Sequence, residues 1–318
     1  MSGLSNEQII NKAAVTAAGK TTGMLNPEQS RAFLKMVFDD SSFLGELSHQ
    51  TRRATKGTIE KLGIGRRLLR QQVEATDTLS GKGVDPILGS VPYSCTDVVL
   101  GAEISEKFLR ENIEQEGFET TFMGMIATQV KVDMLDLAFN GDTAVDVANP
   151  DHDFLVIDDG IVKQLGTGAH ILDATTIGAD FTDSIFTGAL RALPSKYFNK
   201  EKYRWIANND MYIRWIEYLK KRNTAAGDMA ILNGANINPL NVEWRIVPNF
   251  PDNKIILADP SNFTIVNTYD INLRKTVEGK EAVYRDMRFY ALHLNMDTII
   301  LEKDAVVSVN NIPQIAAA

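Results

Sequence analysis

The chain has 318 residues, of which 44% are hydrophobic and 23% charged. These values are close to the averages of globular proteins, so we do not expect intrinsic disorder, and the length allows two lobes or one elongated subunit with arms. The net charge of −8 and the lack of a Lys/Arg run argue against tight nucleic-acid binding, and the lack of a signal sequence or a long apolar run argues against export and membrane spanning.

The N-terminal region predicts an arm followed by a helix. Residues 1 to about 24 are rich in Ala, Thr, Asn and Gly, so we expect an extended arm that needs a neighbour to order it. Asn26 can cap a helix, Pro27 suits its first position and Gln29 its third. The apolar face of this predicted helix consists of Phe33, Leu34, Val37 and Phe38.

Residues 51 to 98 predict a long two-stranded hairpin. A basic stretch leads into TDTLSGKGVDPILGS, which is dense in turn residues and places the hairpin tip near Gly81, Lys82 and Gly83. Such a hairpin has too few apolar residues to fold onto a core of its own. We therefore expect it to lie on another surface, for which a neighbouring subunit is the natural candidate.

The strongest helical pattern of the chain follows the hairpin. Apolar residues recur at three- and four-residue steps, and a rod of about 22 residues would be roughly 33 Å long. Asn140 and Gly141 are a typical helix end. The apolar residues that share this face are Phe118, Phe122, Ile126, Val130, Met134 and Leu137.

The second half mixes helices and strands. Residues 142 to 181 are rich in aspartate and show no clear periodicity; a helix is expected from Ile185 to Leu193, ending at Pro194. A strand in YRWIA then leads through the candidate caps Asn208 and Asn209 into another helix. Strands are expected in VEWRIV, KIILAD, NFTIVNT, MRFYALHL and DAVVSVN. Without a regular strand–helix–strand order, the pattern favours an α+β fold.

The sequence offers little catalytic or metal-binding chemistry. The single cysteine, Cys95, excludes an intrachain disulfide and is interpreted as a small buried hydrophobe. The histidines lack a metal-binding spacing, the KLGIGRR segment lacks the rest of a phosphate loop, and no cofactor site is recognised. The acidic residues Asp151, Asp153, Asp158 and Asp159 lack the spacing of an EF-hand, so we expect a solvated loop.

In this order, the elements resemble the Hong Kong 97-type major capsid proteins of tailed bacteriophages. The likeness rests on the arm and hairpin, then VVLGAEISEKFLREN leading into a long helix closed by LDLAFNGD. It continues through FTGALRALPSKYF, YRWIANNDMYIRWIEYLK, NGANINPLNVEWRIVPNFPDNKIILADPSNFTI and RDMRFYALHLNMDTIILEKDAVVSVNNI, and so covers nearly the whole chain.

The resemblance implies an α+β subunit divided into an arm, a hairpin, a peripheral domain with a spine helix and an axial domain. The implied limits are 1–50 for the arm with its short helix, 51–98 for the hairpin, 99–145 for the peripheral domain with the spine helix, 146–284 for the axial domain and 285–318 for the return strands of the peripheral domain and the C-terminus. Such subunits form the hexamers and pentamers of an icosahedral head around packaged double-stranded DNA, without enzymatic activity, cofactor or metal.

The resemblance also implies partners and a location. Since no scaffolding segment precedes the arm, we expect a separate scaffold protein, together with a portal and a possible decoration protein. Assembly is expected in the host cytoplasm and the product in the virion, without membrane association. The founding member of the family forms lysine–asparagine crosslinks between subunits, and by position Lys82 and Asn310 or Asn311 could take these roles.

A contact between subunits is suggested by the distribution of charges. The hairpin is basic, whereas the approach to the spine helix is acidic, and opposite patches steer encounter and fix register. We expect the hairpin of one subunit to lie over the approach of the next, unless both are solvated faces. The residues of this hypothesis are Arg66, Arg67, Arg70 and Lys82 on the hairpin and Glu106, Glu111, Glu114 and Glu116 on the approach.

Two other functions compete with this interpretation. Encapsulin nanocompartments share the fold and enclose protein cargo, but they typically begin with a helix, whereas this chain begins with a loose arm. A metal-dependent hydrolase would use the acidic cluster at 151–159, and it predicts a small oligomer whose activity is lost on chelation.

Overall fold

The computed structural model describes a mixed α and β chain. It describes residues 23–24, 43–64, 71, 86–107, 118–166, 168–221, 238–269, 272–276 and 279–313. The helices are α1 (Phe43–Glu46), α2 (Phe118–Asn140), α3 (His152–Leu155), α4 (Ile161–Gln164), α5 (Ser184–Ala192), α6 (Asn209–Lys221) and α7 (Lys280–Arg285). None of the helices in these ranges combines the length and hydropathy needed to cross a bilayer.

The strands fall into two sheets and a hairpin. They are β1 (Gly23–Met24), β2 (Ser48–Thr51), β3 (Lys56–Ile64), β4 (Pro86–Ser94), β5 (Thr96–Ser105), β6 (His170–Asp173), β7 (Arg204–Ala207), β8 (Glu243–Ile246), β9 (Ile255–Ala258), β10 (Phe263–Asn267), β11 (Asn272–Thr276), β12 (Met287–Ile300) and β13 (Val307–Asn310). The larger sheet has the order β1-β11-β12-β10-β2, with β5 also paired to β12, and the smaller has the order β6-β13-β9-β7-β8.

The long strand β12 organises the larger sheet. Its residues 287–296 pair antiparallel with β5, while on its other edge it pairs first with β11 and then with β10. β1 adds to the outer edge of β11, so at residues 23–24 the predicted arm pairs with its own chain. The rest of the arm and the helix predicted after Asn26 lie outside the described residues.

The spine helix α2 confirms the predicted helix and its end at Asn140. Val130, Met134 and Leu137 are buried as the periodicity requires, and they pack in the core that covers the larger sheet. The following Gly141 is needed for close approach, because a Cβ there would lie 2.4 Å from the carbonyl oxygen of Asp158. Gly160 faces it and donates its N–H to the carbonyl of Gly141 at 2.8 Å.

Phe139 joins several parts of the subunit at the end of the spine helix. Its ring is fully buried, and it lies 5.8 Å from Phe43 in α1, 6.0 Å from Phe250 and 5.9 Å from Phe263 in β10, between ring centroids. Aromatic pairs at such distances add to the free energy of simple burial. This cluster fixes the spine helix against both sheets.

The smaller sheet is covered on both faces. In β9, Ile256 and Ala258 belong to the core at the spine helix, whereas Ile255 and Leu257 belong to the core under α5 and α6. A strand buried on both faces has no polar alternation, which explains the continuous apolar run in KIILAD. In the second core, Phe186 packs against Trp205, Trp215 and Trp244, at centroid distances of 5.1, 5.0 and 5.7 Å.

The local predictions for this half agree with the structure, with one exception. Met211, Trp215 and Leu219 of α6 are buried, and the Asn208 side chain accepts the Met211 N–H at 2.9 Å as a cap. The alternation in VEWRIV predicts that Ile246 shares the buried face of Trp244, but the Ile246 side chain is 46% exposed. It is the last residue of an edge strand, so the apolar layer over Trp244 does not extend to it.

Replacement of Phe139 by alanine tests this arrangement. The cavity left among three rings should lower the free energy of unfolding by about 3–5 kcal/mol in chemical denaturation. Met125→Ala is the matched control on the same helix, because Met125 is 65% exposed. A loss below about 1 kcal/mol for Phe139→Ala would contradict the role given to this ring.

Candidate assembly surfaces

The predicted hairpin is present, and its two faces differ. β3 and β4 pair antiparallel from Lys56 opposite Ser94 to Ile64 opposite Pro86. Side chains on one face turn towards the subunit body, whereas those on the opposite face are exposed. The exposed set, called the outer hairpin face below, comprises Thr58, Glu60, Leu62, Leu88, Ser90 and Pro92.

The base of the hairpin is attached to the subunit body. Ile59 and Tyr93 are buried and pack in one cluster with Val266 of β10 and Ile299 of β12. Further along the hairpin, Lys61 donates from its ammonium group to the carbonyl of Leu301. This attachment fixes the direction in which the hairpin leaves the body.

The outer hairpin face carries an apolar pair. Leu62 and Leu88 lie directly opposite each other in the two strands, and they are 73% and 74% exposed. These two large aliphatic side chains bury little of their surface within the isolated subunit. They mark this part of the hairpin as a surface that another molecule can cover.

A second exposed apolar pair lies at the turn between β11 and β12. Val283 and Tyr284 in α7 are 65% and 78% exposed. The turn is positioned by Arg285, whose guanidinium binds the Glu103 carboxylate of β5 at 2.9 Å. The ion pair therefore fixes the position from which this turn exposes its two apolar side chains.

Of the predicted contact residues, the structure describes Glu106. It is 7% exposed, and its carboxylate lies 3.7 Å from the guanidinium of Arg288 in β12. Its charge is thus directed into the subunit, and it contributes little to an acidic surface. The other residues of the hypothesis lie outside the described residues: Arg66, Arg67, Arg70, Lys82, Glu111, Glu114 and Glu116.

The acidic passage does not form a metal site in the part of the chain that the structure describes, where no three candidate ligands come together. Asp153 is exposed and near His152, at 3.2 Å, whereas Asp159 binds the Lys163 ammonium at 2.6 Å. Hydrogen bonds from Lys163 and Thr143 hold the pKa of Asp159 below its usual value despite partial burial. Asp158 points the other way, into the interior.

The expected position of Cys95 is confirmed. It is buried between β4 and β5, and its thiol donates to the carbonyl of Val266 at 3.5 Å. Burial, followed by the negative charges of Asp297 and Asp158, raises the pKa of this thiol to about 11. A thiol held neutral in this way is a poor nucleophile at physiological pH.

The cleft between the spine helix and the larger sheet offers no catalytic arrangement. Its volume is about 350 Å³, and its lining is apolar apart from Asp133 and Asp153. Burial raises the pKa of Asp133, but Gln129 binds its carboxylate. General acid–base or nucleophilic catalysis needs a partner group aligned with the first, which these two aspartates do not supply.

No family model matches the sequence. A curated relative is YqbE of Bacillus subtilis (strain 168), provisionally named a prophage capsid protein, which is 29% identical over 326 positions covering 96% of this chain and 98% of that one. The chain has the Hong Kong 97 fold, and it resembles this capsid protein over nearly its whole length.

Solved structures agree with this fold over nearly the whole chain. A chain of the satellite phage P4 procapsid, solved with its size determination (Sid) protein, matches with a TM-score of 0.66 at 17% identity, covering 93% of this chain and 94% of that one. A capsid chain of the native GTA particle matches with a TM-score of 0.55 at 13% identity, covering 95% and 96%. The fold resemblance inferred from the sequence is thereby confirmed.

Two ion pairs allow a test of where Glu106 acts. Glu106→Gln leaves the buried guanidinium of Arg288 without its countercharge, so the free energy of unfolding of the isolated subunit should fall by about 3 kcal/mol. Glu103→Gln breaks the exposed pair with Arg285 and should cost less than about 1 kcal/mol. Denaturant titration of both variants gives the comparison, and equal losses would contradict the internal role of Glu106.

Proposed function

We propose that this chain is the major capsid protein that assembles into hexamers and pentamers and so forms the icosahedral head around phage DNA. The observation that carries the proposal is the outer hairpin face. An elongated strand pair that is anchored at its base and carries an exposed leucine pair has its natural partner in the next copy of the same subunit. The role is structural, and we expect no catalytic activity.

The energetics favour a repeated contact over an isolated one. Covering an aliphatic side chain of this size contributes roughly 1.5–3 kcal/mol, which is too little for a stable dimer. In a closed lattice every subunit both extends a hairpin and receives one, so weak contacts act together. The exposed pair Val283 and Tyr284 on the turn before β12 would add a second contact of the same kind.

Replacement of both leucines tests the hairpin contact. Leu62→Ser with Leu88→Ser should leave the subunit folded, because both side chains are largely exposed within it. The yield of closed particles, measured by sedimentation and negative-stain microscopy, should fall at least about tenfold, the equivalent of 1.4 kcal/mol per contact.

The control for this variant is Glu60→Gln, on the same outer hairpin face of β3. It changes the polarity of that face without removing apolar surface, so particle yield should stay near that of the wild type. Circular dichroism of the unassembled subunits must be the same for all variants. Normal particles from the double serine variant would contradict the proposed contact.

We further propose the electrostatic contact between the basic hairpin and the acidic approach of a neighbour, with Glu106 removed from the acidic set. Arg66→Glu with Arg67→Glu should leave the subunit folded and reduce shell yield, because like charges would then oppose each other. Adding Glu111→Arg and Glu114→Arg to the same chain should restore the yield. Lack of rescue, or normal yield from the first variant, would show that these charges are only solvated.

The domain limits and the partners are also proposals. We assign the smaller sheet with α5 and α6 to the axial domain proposed for residues 146–284, although β13, from the C-terminal part of the chain, completes that sheet. We assign the larger sheet and the spine helix to the peripheral domain, although β10 and β11 of this sheet lie within 146–284. We propose a scaffold protein, a portal and a decoration protein as partners, assembly in the host cytoplasm and a final location in the virion.

The contents of the particles distinguish a phage head from an encapsulin-like shell. A net charge of −8 avoids a strongly basic inner wall that would trap packaged DNA by counterion release. Particles purified from lysed host cells should contain nuclease-protected DNA. Particles that held an enzyme and no DNA would favour the nanocompartment.

A further inference from the structure

Three distant parts of the chain meet at the base of the hairpin around two aspartates. The backbone N–H of Ser94, the last residue of β4, donates to the Asp297 carboxylate of β12 at 2.5 Å. Asp158, from the loop after α3, accepts the backbone N–H of Thr298 at 2.9 Å. The carboxyl groups of Asp158 and Asp297 are hydrogen-bonded to each other.

The two carboxyl groups, called the carboxyl pair below, are deeply placed. Asp158 and Asp297 are 6% and 8% exposed. Two ionised carboxylates in such a site would repel each other in a medium that screens them poorly, so the pair shares a proton. Burial and the charge of Asp297 raise the pKa of Asp158 to about 8, and burial also raises the pKa of Asp297.

The surroundings of the carboxyl pair favour the shared proton. Asp159 adds negative charge, while Lys163 of α4 is bound to both Asp159 and Asp142, at 2.6 and 2.7 Å. The thiol of Cys95 adjoins the pair from the link between β4 and β5 and stays neutral. The charge of Asp97 in β5 also acts on this thiol, and its carboxylate accepts a hydrogen bond from the hydroxyl of Tyr269 at 3.1 Å.

The same site also reaches the spine helix. The loop that carries Asp158 continues to Gly160, which bonds Gly141 directly after that helix. Gln164 of α4 donates to the carbonyl of Thr298. A change at the carboxyl pair therefore acts on the joint between hairpin, long strand and spine helix.

We propose that the carboxyl pair Asp158–Asp297 is a proton-dependent latch that holds the base of the hairpin on the subunit body. With the proton in place, Asp297 holds the Ser94 N–H and Asp158 holds the Thr298 N–H. When the proton is lost, the two carboxylates separate and the Ser94 attachment opens, so the hairpin can change its direction. The latch is a property of the single subunit and does not depend on the proposed shell.

The sign of the pH dependence follows from linkage. The closed latch keeps its proton up to a pH of about 8, whereas the opened, hydrated carboxyls lose theirs near the ordinary value of 3.8. Opening therefore releases a proton, and its equilibrium constant should rise roughly tenfold per pH unit between about pH 5 and about pH 8. Above about pH 8 the closed form has itself lost the proton, so the equilibrium constant for opening should no longer change with pH.

Hydrogen exchange of the full-length subunit measures the opening. The N–H group of Ser94 reports it, because it donates to Asp297 at 2.5 Å. After correction for the chemical exchange rate at each pH, its protection should fall roughly tenfold per unit across this range in the wild type. If this protection did not change with pH in the wild type, the proposal would be overturned, and no variant would be needed.

Asp297→Asn is the decisive variant. An asparagine can still accept the Ser94 N–H with its oxygen and can donate its amide to Asp158, but it holds no shared proton. The charge of Asp297 is removed while the burial of Asp158 remains, so the slope of protection against pH should become clearly smaller. Asp153→Asn, which removes an exposed carboxylate from the same acidic passage, should keep the wild-type slope. If Asp297→Asn does not fold, Asp158→Asn serves the same test, and an unchanged slope in a folded variant of either site would overturn the proposal.

Discussion

The fold depends on the pairing of one long strand along both of its edges. β12 receives β5 on one edge and both β11 and β10 on the other, so segments about 190 residues apart in sequence become neighbours. Such nonlocal pairing costs loop entropy, which only the burial of a whole sheet face can offset. The spine helix supplies that cover, and its last aromatic residue, Phe139, ties the sheet to Phe250 in the loop between β8 and β9 of the smaller sheet. The hairpin then starts from a base that this arrangement has already fixed.

The same arrangement supports the proposed role in a shell. Both the hairpin and α7 carry apolar side chains outwards, Leu62 and Leu88 on the first and Val283 and Tyr284 on the second. A protein that folded for its own stability would cover Leu62 and Leu88 or replace them by polar residues. Their exposure on a directed projection is consistent with the likeness to phage capsid chains over nearly the whole length. In such a lattice the direction of the hairpin matters as much as its composition, because direction decides which neighbour it meets.

Buried charge is concentrated at the joints of the subunit. Glu106 and Arg288 bind where β5 ends against the start of β12, and Asp158 and Asp297 meet where the hairpin joins the body. Neither arrangement increases stability as effectively as apolar packing would, because desolvation of charged groups is unfavourable. Each, however, fixes one geometry, and the carboxyl pair can lose that geometry when its proton leaves. A shell that needs the same subunit in several environments can use a joint of this kind.

The sequence by itself determined what depends on local order. Periodicity, capping and turn residues predict the spine helix, α5, α6 with its Asn208 cap, the late strands and the hairpin. The order of these elements carried the family resemblance.

The tertiary structure decided which side chains meet when they are far apart in the sequence. Glu106 looked like one more acidic surface residue until Arg288 was placed beside it, 182 positions later in the chain. Asp158 looked like part of a solvated loop, although the close approach of Gly141 and Gly160 turns it inwards to Asp297. The exposed leucine pair could have been found from the alternation in β3, but which face of the hairpin meets the body is set by Ile59 packing on β10 and β12. Periodicity reports which face of an element is apolar, whereas only the folded chain shows what that face contacts.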